Sequence, residues 1–466
     1  MRATKLICTL GPATAELGPE LVAAGLDVAR INLSHGTRDE HQRSLESIRR
    51  AADEAGRVVA VMADLSGPKV RLGELITEAA ELVEGASFVL RGPGEPGDAA
   101  SAPVSYANLA NELEAGDRVL LSDGAVELRV RSVTAGEVTA EVVRGGLIRS
   151  RAGLNVPSER LGLPAITPKD ERDLEWVSEA AVDLVAMSFV RSAADVTGLR
   201  ARLGDDGPLI VAKIETGAAV ADAERILDAA DAVMIARGDL GVEMALEEIP
   251  VIQKDLLARA GRRGVPAVVA TQMLESMTAS PRPTRAEASD VAGAVFDGAA
   301  AILLSAETAI GRYPIEAART AVRIVETAET MGAGFLAAPR EDALGVSDAR
   351  AIAHATATAV GGCAARAVAC FTRTGLTARL LSAVRLRVPV YAFSSEERVV
   401  RGLAILRGVE PRLSDLPADT DGMIAMMNAR LAGDGLADPG DRVVMVASTP
   451  VGSARTNLLK VHRVGS

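Results

Sequence analysis

Residues 209–239 read LIVAKIETGAAVADAERILDAADAVMIARGD, and this stretch decides the fold. Leu209–Ile214 is a short apolar run that turns polar only at its end, as suits a strand covered on both faces. A helical pattern comes next, and then a second such run, Ala232–Ala236. Strand, helix and strand in that order make one unit of a parallel sheet. Working outward, comparable runs occur at Lys5–Leu10, Asp27–Ile31, Val58–Ala63, Val182–Met187, Pro266–Ala270 and Ala299–Leu304. Eight runs with helices between them predict a closed (β/α)8 TIM barrel.

The residues just after each run carry the functional signal. The C-terminal ends hold Thr9, Arg30 with Asn32, Asp64 and Ser188, then Lys213 with Glu215, Gly238 with Asp239, Thr271, and Ser305 with Glu307. A strand end is an ordinary place for a polar residue, because the chain there returns to water. Eight polar ends in register point instead to the barrel mouth, where active sites of this architecture lie.

Two interruptions divide the chain. From about Pro68 to Leu161 the sequence is rich in Gly, Glu and Val, with alternating stretches at Arg118–Leu121 and Ala125–Val130. That pattern predicts a small all-β lid inserted into a barrel loop. A second boundary falls near Met331 to Asp348, and beyond it lies an α/β segment with strands near Ala367–Phe371, Val388–Phe393 and Arg442–Ala447. The expected division is barrel over 1–67 and 163–335, lid over 68–162, and a C-terminal α/β domain over 346–466.

Composition narrows the function classes. The chain is 48% hydrophobic and 2% aromatic, so its core is built from Ala, Val, Leu and Ile. A formal charge of −11 with few aromatics argues against a nucleic-acid partner. Cys8, Cys363 and Cys370 lack metal-type spacing and fit buried thiols of a reducing compartment. No apolar stretch reaches membrane-spanning length, so the expectation is a cytoplasmic protein with no membrane contact.

Three constellations suggest the chemistry. Arg30, Asn32 and Ser34 alternate, so an extended chain puts a guanidinium and two neutral oxygens on one face, suited to an anion beside a cation. A polar strand edge would look the same. Lys213 and Glu215 share a face, and Asp239 stands at the next strand's rim. Two carboxylates would give a divalent cation hard oxygen ligands, leaving positions for substrate and water. Alone, Lys213 and Glu215 could equally form a structural salt bridge. Gly238 permits close backbone approach, and a helix starting there would offer N–H groups to an anion. Thr271 could bind an acid and pass a proton, or simply cap a helix. Arg30, Arg71, Lys213 and a metal would supply the positive charge that phosphoryl transfer needs.

Together these motifs resemble the pyruvate kinase family over nearly the whole chain. The segments are TKLICTLGPAT (Thr4–Thr14), RINLSHG (Arg30–Gly36), KIET (Lys213–Thr216), ARGDLGVE (Ala236–Glu243), ATQMLESM (Ala270–Met277), PTRAEASDV (Pro283–Val291) and LSAETAIGRYP (Leu304–Pro314). The resemblance implies transfer of a phosphoryl group from phosphoenolpyruvate to ADP with Mg2+, or Mn2+, usually in a homotetramer. It implies catalytic roles for Lys213, Arg30 and Thr271, and substrate binding by Arg30, Gly238, Asp239 and Thr271. It also implies nucleotide contacts from Arg71, Asn32, His35 and Arg151, and metal binding by Glu215 and Asp239. In the C-terminal segment, Thr372, Thr374, Gly375 and Thr377 resemble the family's effector loop, for a sugar phosphate or AMP, with Gly452 to Asn457 as a second loop. A hydroxyl-rich turn is also an ordinary helix start.

Three departures qualify the resemblance. Family members usually bind K+ through the positions of Asn32, Ser34, Asp64 and Leu65, helped by a nearby glutamate. Here Leu65 replaces the usual threonine and Lys69 the glutamate, so a tethered ammonium of equal charge is expected to stand in for K+. Ala152 stands where the family has an ATP-binding lysine, with Arg151 beside it. Gly293 replaces a usual asparagine. Two rival readings are a Mg2+-dependent phosphoenolpyruvate-binding lyase or aldolase, and a non-catalytic effector sensor. The first would not need Lys213 beside Glu215, a lid or Arg71. The second would have shed the site's costly charges.

Overall fold

In the computed structural model of the chain, residues 2–122, 124–134, 136–156, 162–332, 334, 347–451 and 455–466 are described. Its centre is a closed barrel of eight parallel strands. In order around the ring these are Lys5–Leu10, Val28–Asn32, Ala60–Asp64, Leu184–Met187, Leu209–Ile214, Ala232–Ala236, Ala267–Ala270 and Ala301–Leu304. Each matches an apolar run to within two residues at either end, because both faces of each strand are covered.

The strand period of two splits every run between two cores. One phase, with Leu6, Cys8, Ile31, Val61, Ile210 and Ile235, packs in the cluster beneath the surrounding helices. The other, with Ile7, Val28, Met62, Ala186, Val211 and Leu303, fills the barrel interior. Continuing that inner phase along the chain reaches Thr9, Arg30, Asp64, Ser188 and Lys213. The polar residues at the mouth are thus the top layer of the barrel's own filling.

Between the third and fourth strands an antiparallel-rich sheet of six strands and a pair of two form a separate β unit. It has its own apolar core, with Phe88, Leu90, Leu128 and Val142. Two chain passes carry it: Leu72 N–H donates to Ala152 O at 2.9 Å, and Leu154 N–H to Val70 O at 2.9 Å.

The C-terminal unit is a five-stranded sheet. Two of its strands, Val409–Leu413 and Thr456–Arg463, come in addition to the three that the sequence pattern predicts. It packs under the barrel floor, where Lys5 Nζ donates to Val409 O at 2.7 Å and Gly408 N–H to Ala3 O at 2.9 Å. Most of the boundary expected near residues 331–348, and part of the second effector loop at 452–457, lie outside the described residues. Cys8 and Cys370 are buried and Cys363 is partly so, and all are free thiols. Among the described residues no helix is long and apolar enough to cross a membrane.

Candidate active site

Lys213 is the hub of the barrel mouth. Its Nζ lies 2.7 Å from Ser188 Oγ, 3.2 Å from Asp64 Oδ1 and 2.9 Å from Glu215 Oε1. Asp64 is bound on its other oxygen by Arg30 Nε at 2.7 Å, and Arg30 NH1 donates to Thr9 Oγ1 at 2.9 Å. Inward residues at the ends of successive strands thus converge on one buried cluster.

The electrostatics arise from burial and pairing. Burial alone would push Asp64's pKa up, but Lys213 and Arg30 outweigh it and hold the group below its ordinary value. Burial would likewise lower Lys213, yet Asp64 and Glu215 raise it, so the ammonium stays charged. Glu215 goes the other way: burial and the neighbouring Asp239 charge raise its pKa despite Lys213. A divalent cation between Glu215 and Asp239 would relieve that repulsion, so this donor set fits the metal. No group of three or more His, Cys, Asp or Glu suited to a metal occurs among the described residues. The two carboxylates would therefore share the ion with substrate oxygens or water.

The far rim is held by backbone geometry. Thr271 and Gln272 have φ of 69° and 54°, a left-handed conformation that a β-branched threonine rarely adopts. Thr271 Oγ1 donates to Ala270 O at 2.6 Å and accepts Gly238 N–H at 2.8 Å. Gly238's amide is therefore not free, contrary to the expectation of open N–H groups there, and Thr271 does not cap its own helix. Arg237 donates to Thr271 O at 2.7 Å and pairs with Asp290 at 2.7 Å. Glu307, fully buried, accepts Leu274 N–H at 3.0 Å and Ser305 N–H at 2.7 Å. Glu287 caps its helix through Thr284 and also holds Ser276 N–H at 2.7 Å. Sequence reasoning gives Arg237, Asp290, Glu287 and Glu307 no such part. Their signal is their place inside the ARGD, PTRAEASD and SAET segments, and for Glu307 also its place at the end of the eighth strand.

Several candidates stand differently from expectation. The second strand ends at Asn32, and its Oδ1 turns back to accept Ser34 N–H at 3.1 Å. Ser34 thus lies in a turn, off the shared strand face, as is common where an Asn can bond the backbone two residues on. Leu65 is buried, its N–H donating to Ala186 O at 3.0 Å. Lys69 Nζ lies 3.3 Å from Asp239 Oδ1, so its ammonium pairs with one of the two candidate metal carboxylates. Arg71 donates to Arg151 O at 3.2 Å, and Arg151, 78% exposed, pairs with Glu74 at 2.6 Å, so both are engaged within the β unit. His35 is exposed, with its carbonyl bound by His41 Nε2 at 2.7 Å. Ala152 packs against the β unit's core. A Cβ at Gly293 would meet nothing within 4 Å, and nothing in the structure explains that glycine.

In the C-terminal unit, Thr372 and Thr377 are buried. Thr372 Oγ1 accepts Gly375 N–H at 3.0 Å, and Thr377 Oγ1 bonds Thr456 Oγ1 at 2.7 Å. Thr374 is exposed, and with Gly375 it lines a cavity of about 380 Å³ against the barrel floor.

A closed parallel barrel whose inner layer turns from aliphatic to charged at the C-terminal ends of its strands defines a barrel enzyme. Comparison with known proteins makes the class specific. Residues 1–318 match the pyruvate kinase barrel domain, and residues 350–462 match the pyruvate kinase alpha/beta domain. Pyruvate kinase of Mycobacterium tuberculosis is 42% identical over 470 residues, covering 100% of this chain and 99% of that protein. That of Geobacillus stearothermophilus is 39% identical, covering 99% and 80%. That of Clostridium acetobutylicum is 37% identical, covering 100% of both. The chain belongs to the pyruvate kinase family.

Proposed function

We propose that this chain works as a pyruvate kinase through the cluster around Lys213. The phosphoryl group leaves the enol oxygen of phosphoenolpyruvate and bonds to the terminal phosphate oxygen of ADP, giving ATP and an enolate. Protonation of that enolate at carbon gives pyruvate. The observation that carries this reading is Lys213, charged and buried among Ser188, Asp64 and Glu215. An ammonium fixed in a dry site stabilises the charge on the transferring oxygens without having to reorganise.

In this reading Arg30, held by Asp64 and Thr9, binds the phosphoryl group. Glu215 and Asp239 hold Mg2+, or Mn2+, which supplies Lewis-acid charge when bound. Gly238, Asp239 and Thr271 hold the substrate, and Thr271 relays the proton from its place beside Gly238. Arg71 and Arg151, with Asn32 and His35, contact the nucleotide when the β unit closes over the mouth. The proposed division is barrel 1–67 and 163–335, lid 68–162 and C-terminal domain 346–466. The strand membership of the separate sheets supports it.

The enzyme acts without K+ in this reading. Lys69 places an ammonium at the mouth, 3.3 Å from Asp239, and Leu65 stands where the family has threonine. The cavity beside Thr374 and Gly375 supports a sugar phosphate or AMP as effector of a cytoplasmic homotetramer. The test is pyruvate formation from phosphoenolpyruvate and ADP with Mg2+, titrating K+ from zero. Full rate without K+ is expected. A steep rise with K+ would remove Lys69 from the role, and no pyruvate at any K+ or effector concentration would overturn the whole reading.

A further inference from the structure

Beneath the barrel, two arginines of the C-terminal unit approach one another. Arg407 has a side chain only 10% exposed and reaches Glu329 Oε1 at 3.3 Å. That oxygen already accepts Thr4 N–H and Thr4 Oγ1, both at 2.7 Å, and Glu329's other oxygen accepts Ala3 N–H at 2.7 Å. Arg407 Nε is buried and has no hydrogen-bond partner among the described residues. A buried orphan donor on a charged group is rare, and it marks this contact as one where charge is incompletely matched.

Arg385 comes from the other side. Its guanidinium lies so close to Gly298 that a Cβ there would fall 1.9 Å from NH2, and it reaches Gly298 O at 3.3 Å. A Cβ at Gly261 would also press on it, at 3.3 Å. The barrel helices thus carry glycine where this arginine passes. Burial and the Arg407 charge push the Arg385 pKa down to about 10, a sign of two cations held close together away from water. Between them is a cavity of about 40 Å³, lined by Gly261, Gly264, Gly298, Ser382, Arg385 and Arg407. That space suits one or a few water-sized occupants, not an organic effector.

We propose that this cavity binds a small inorganic anion, of which chloride is the simplest, bridging the barrel floor and the C-terminal unit. The anion sits between the two guanidinium groups that line the cavity and offsets the mutual repulsion of Arg385 and Arg407. Because its ligands come from the C-terminal unit and its walls partly from the barrel, its binding stabilises the contact between them.

The test uses the full chain. Thermal unfolding is measured in chloride, phosphate and gluconate at matched ionic strength, and crystals are soaked in bromide for anomalous diffraction. Chloride is expected to raise Tm saturably by roughly 2 °C over gluconate. Arg407→Met and Arg385→Met should abolish that rise, and a bromide peak should lie in the cavity between the two guanidinium groups. Saturation by phosphate but not chloride would support the site and assign it to an oxyanion. Equal melting in all three salts, with no bromide in the cavity, would overturn the proposal in favour of water alone. The soak uses the unaltered chain, so it decides the matter even where a variant fails to fold.

Discussion

The two ends of the barrel use the same kind of bond for opposite purposes. At the floor, Asp27, Asp183 and Asp231 stand immediately before or next to the starts of the second, fourth and sixth strands. Each accepts a backbone N–H from the preceding strand of the ring: Leu6 at 2.8 Å, Val61 at 2.7 Å and Ile210 at 3.0 Å. Each also holds arginine, Arg2 at 2.5 Å, Arg49 at 2.6 Å and Arg200 at 2.7 Å. Arg401 and Arg379 of the C-terminal unit add to Asp183 and Asp231 at 2.8 and 3.3 Å. These carboxylates are saturated and permanent. At the mouth, one ammonium serves three acceptors, and the nearness of Glu215 and Asp239 raises the pKa of Glu215. Saturated charge builds architecture, whereas charge left for a substrate and a metal to complete builds chemistry.

The contrast can be broken most severely at its hub. Lys213→Met should lower kcat by roughly 10³-fold. It should also destabilise the fold by about 3–5 kcal/mol, because Asp64 and Glu215 stay buried without their partner. Steady-state kinetics and thermal unfolding check both, and a variant that kept its rate would remove Lys213 from the chemistry. Asp239→Asn should spare stability but raise the Mg2+ concentration for half-maximal rate by at least about tenfold, read from a metal titration.

At the floor the pattern should invert. Asp231→Asn should cost about 2 kcal/mol in denaturant unfolding while leaving KM and kcat near those of the unaltered enzyme. Burial pushes Asp231's pKa up, but the Ile210 N–H and Arg200 outweigh it, so the folded value lies below the ordinary one. The stability from this carboxylate is therefore complete above about pH 4 and lost as pH falls through the lower folded value. The gap between variant and wild type should close in that acid range. Arg131→Gln, breaking an exposed pair with Glu141 on the β unit, should change stability by no more than about 0.5 kcal/mol in the same unfolding experiment.

How much of the molecule is legible in its sequence depends on which bonds are local. The barrel strands can be read because burial on both faces leaves apolar runs, and Lys213 with Glu215 because the period of two is a local rule. Thr456–Arg463 escapes because its residues TNLLKVHR are half exposed and form no continuous apolar run. Ser34 is misplaced when the strand is extended past Asn32, whose side chain ends it. Lys69 meeting Asp239 joins residues 170 apart, which no local pattern reports. The floor aspartates do leave a trace, an Asp beside the start of three alternate strands. Without the ring order they read as loop polarity.

Closure of the ring has a consequence in time. The first strand, Lys5–Leu10, pairs with Ala301–Leu304, and the Lys5 ammonium reaches Val409. A ribosome adding about 5–20 residues per second needs roughly 15–60 s to deliver the eighth strand after the first has emerged. Through that interval the first strand has only the second beside it, and one of its edges is open to any other chain. The β unit, whose partners lie within one span of residues 68–162, can complete its sheets while the barrel around it is still waiting.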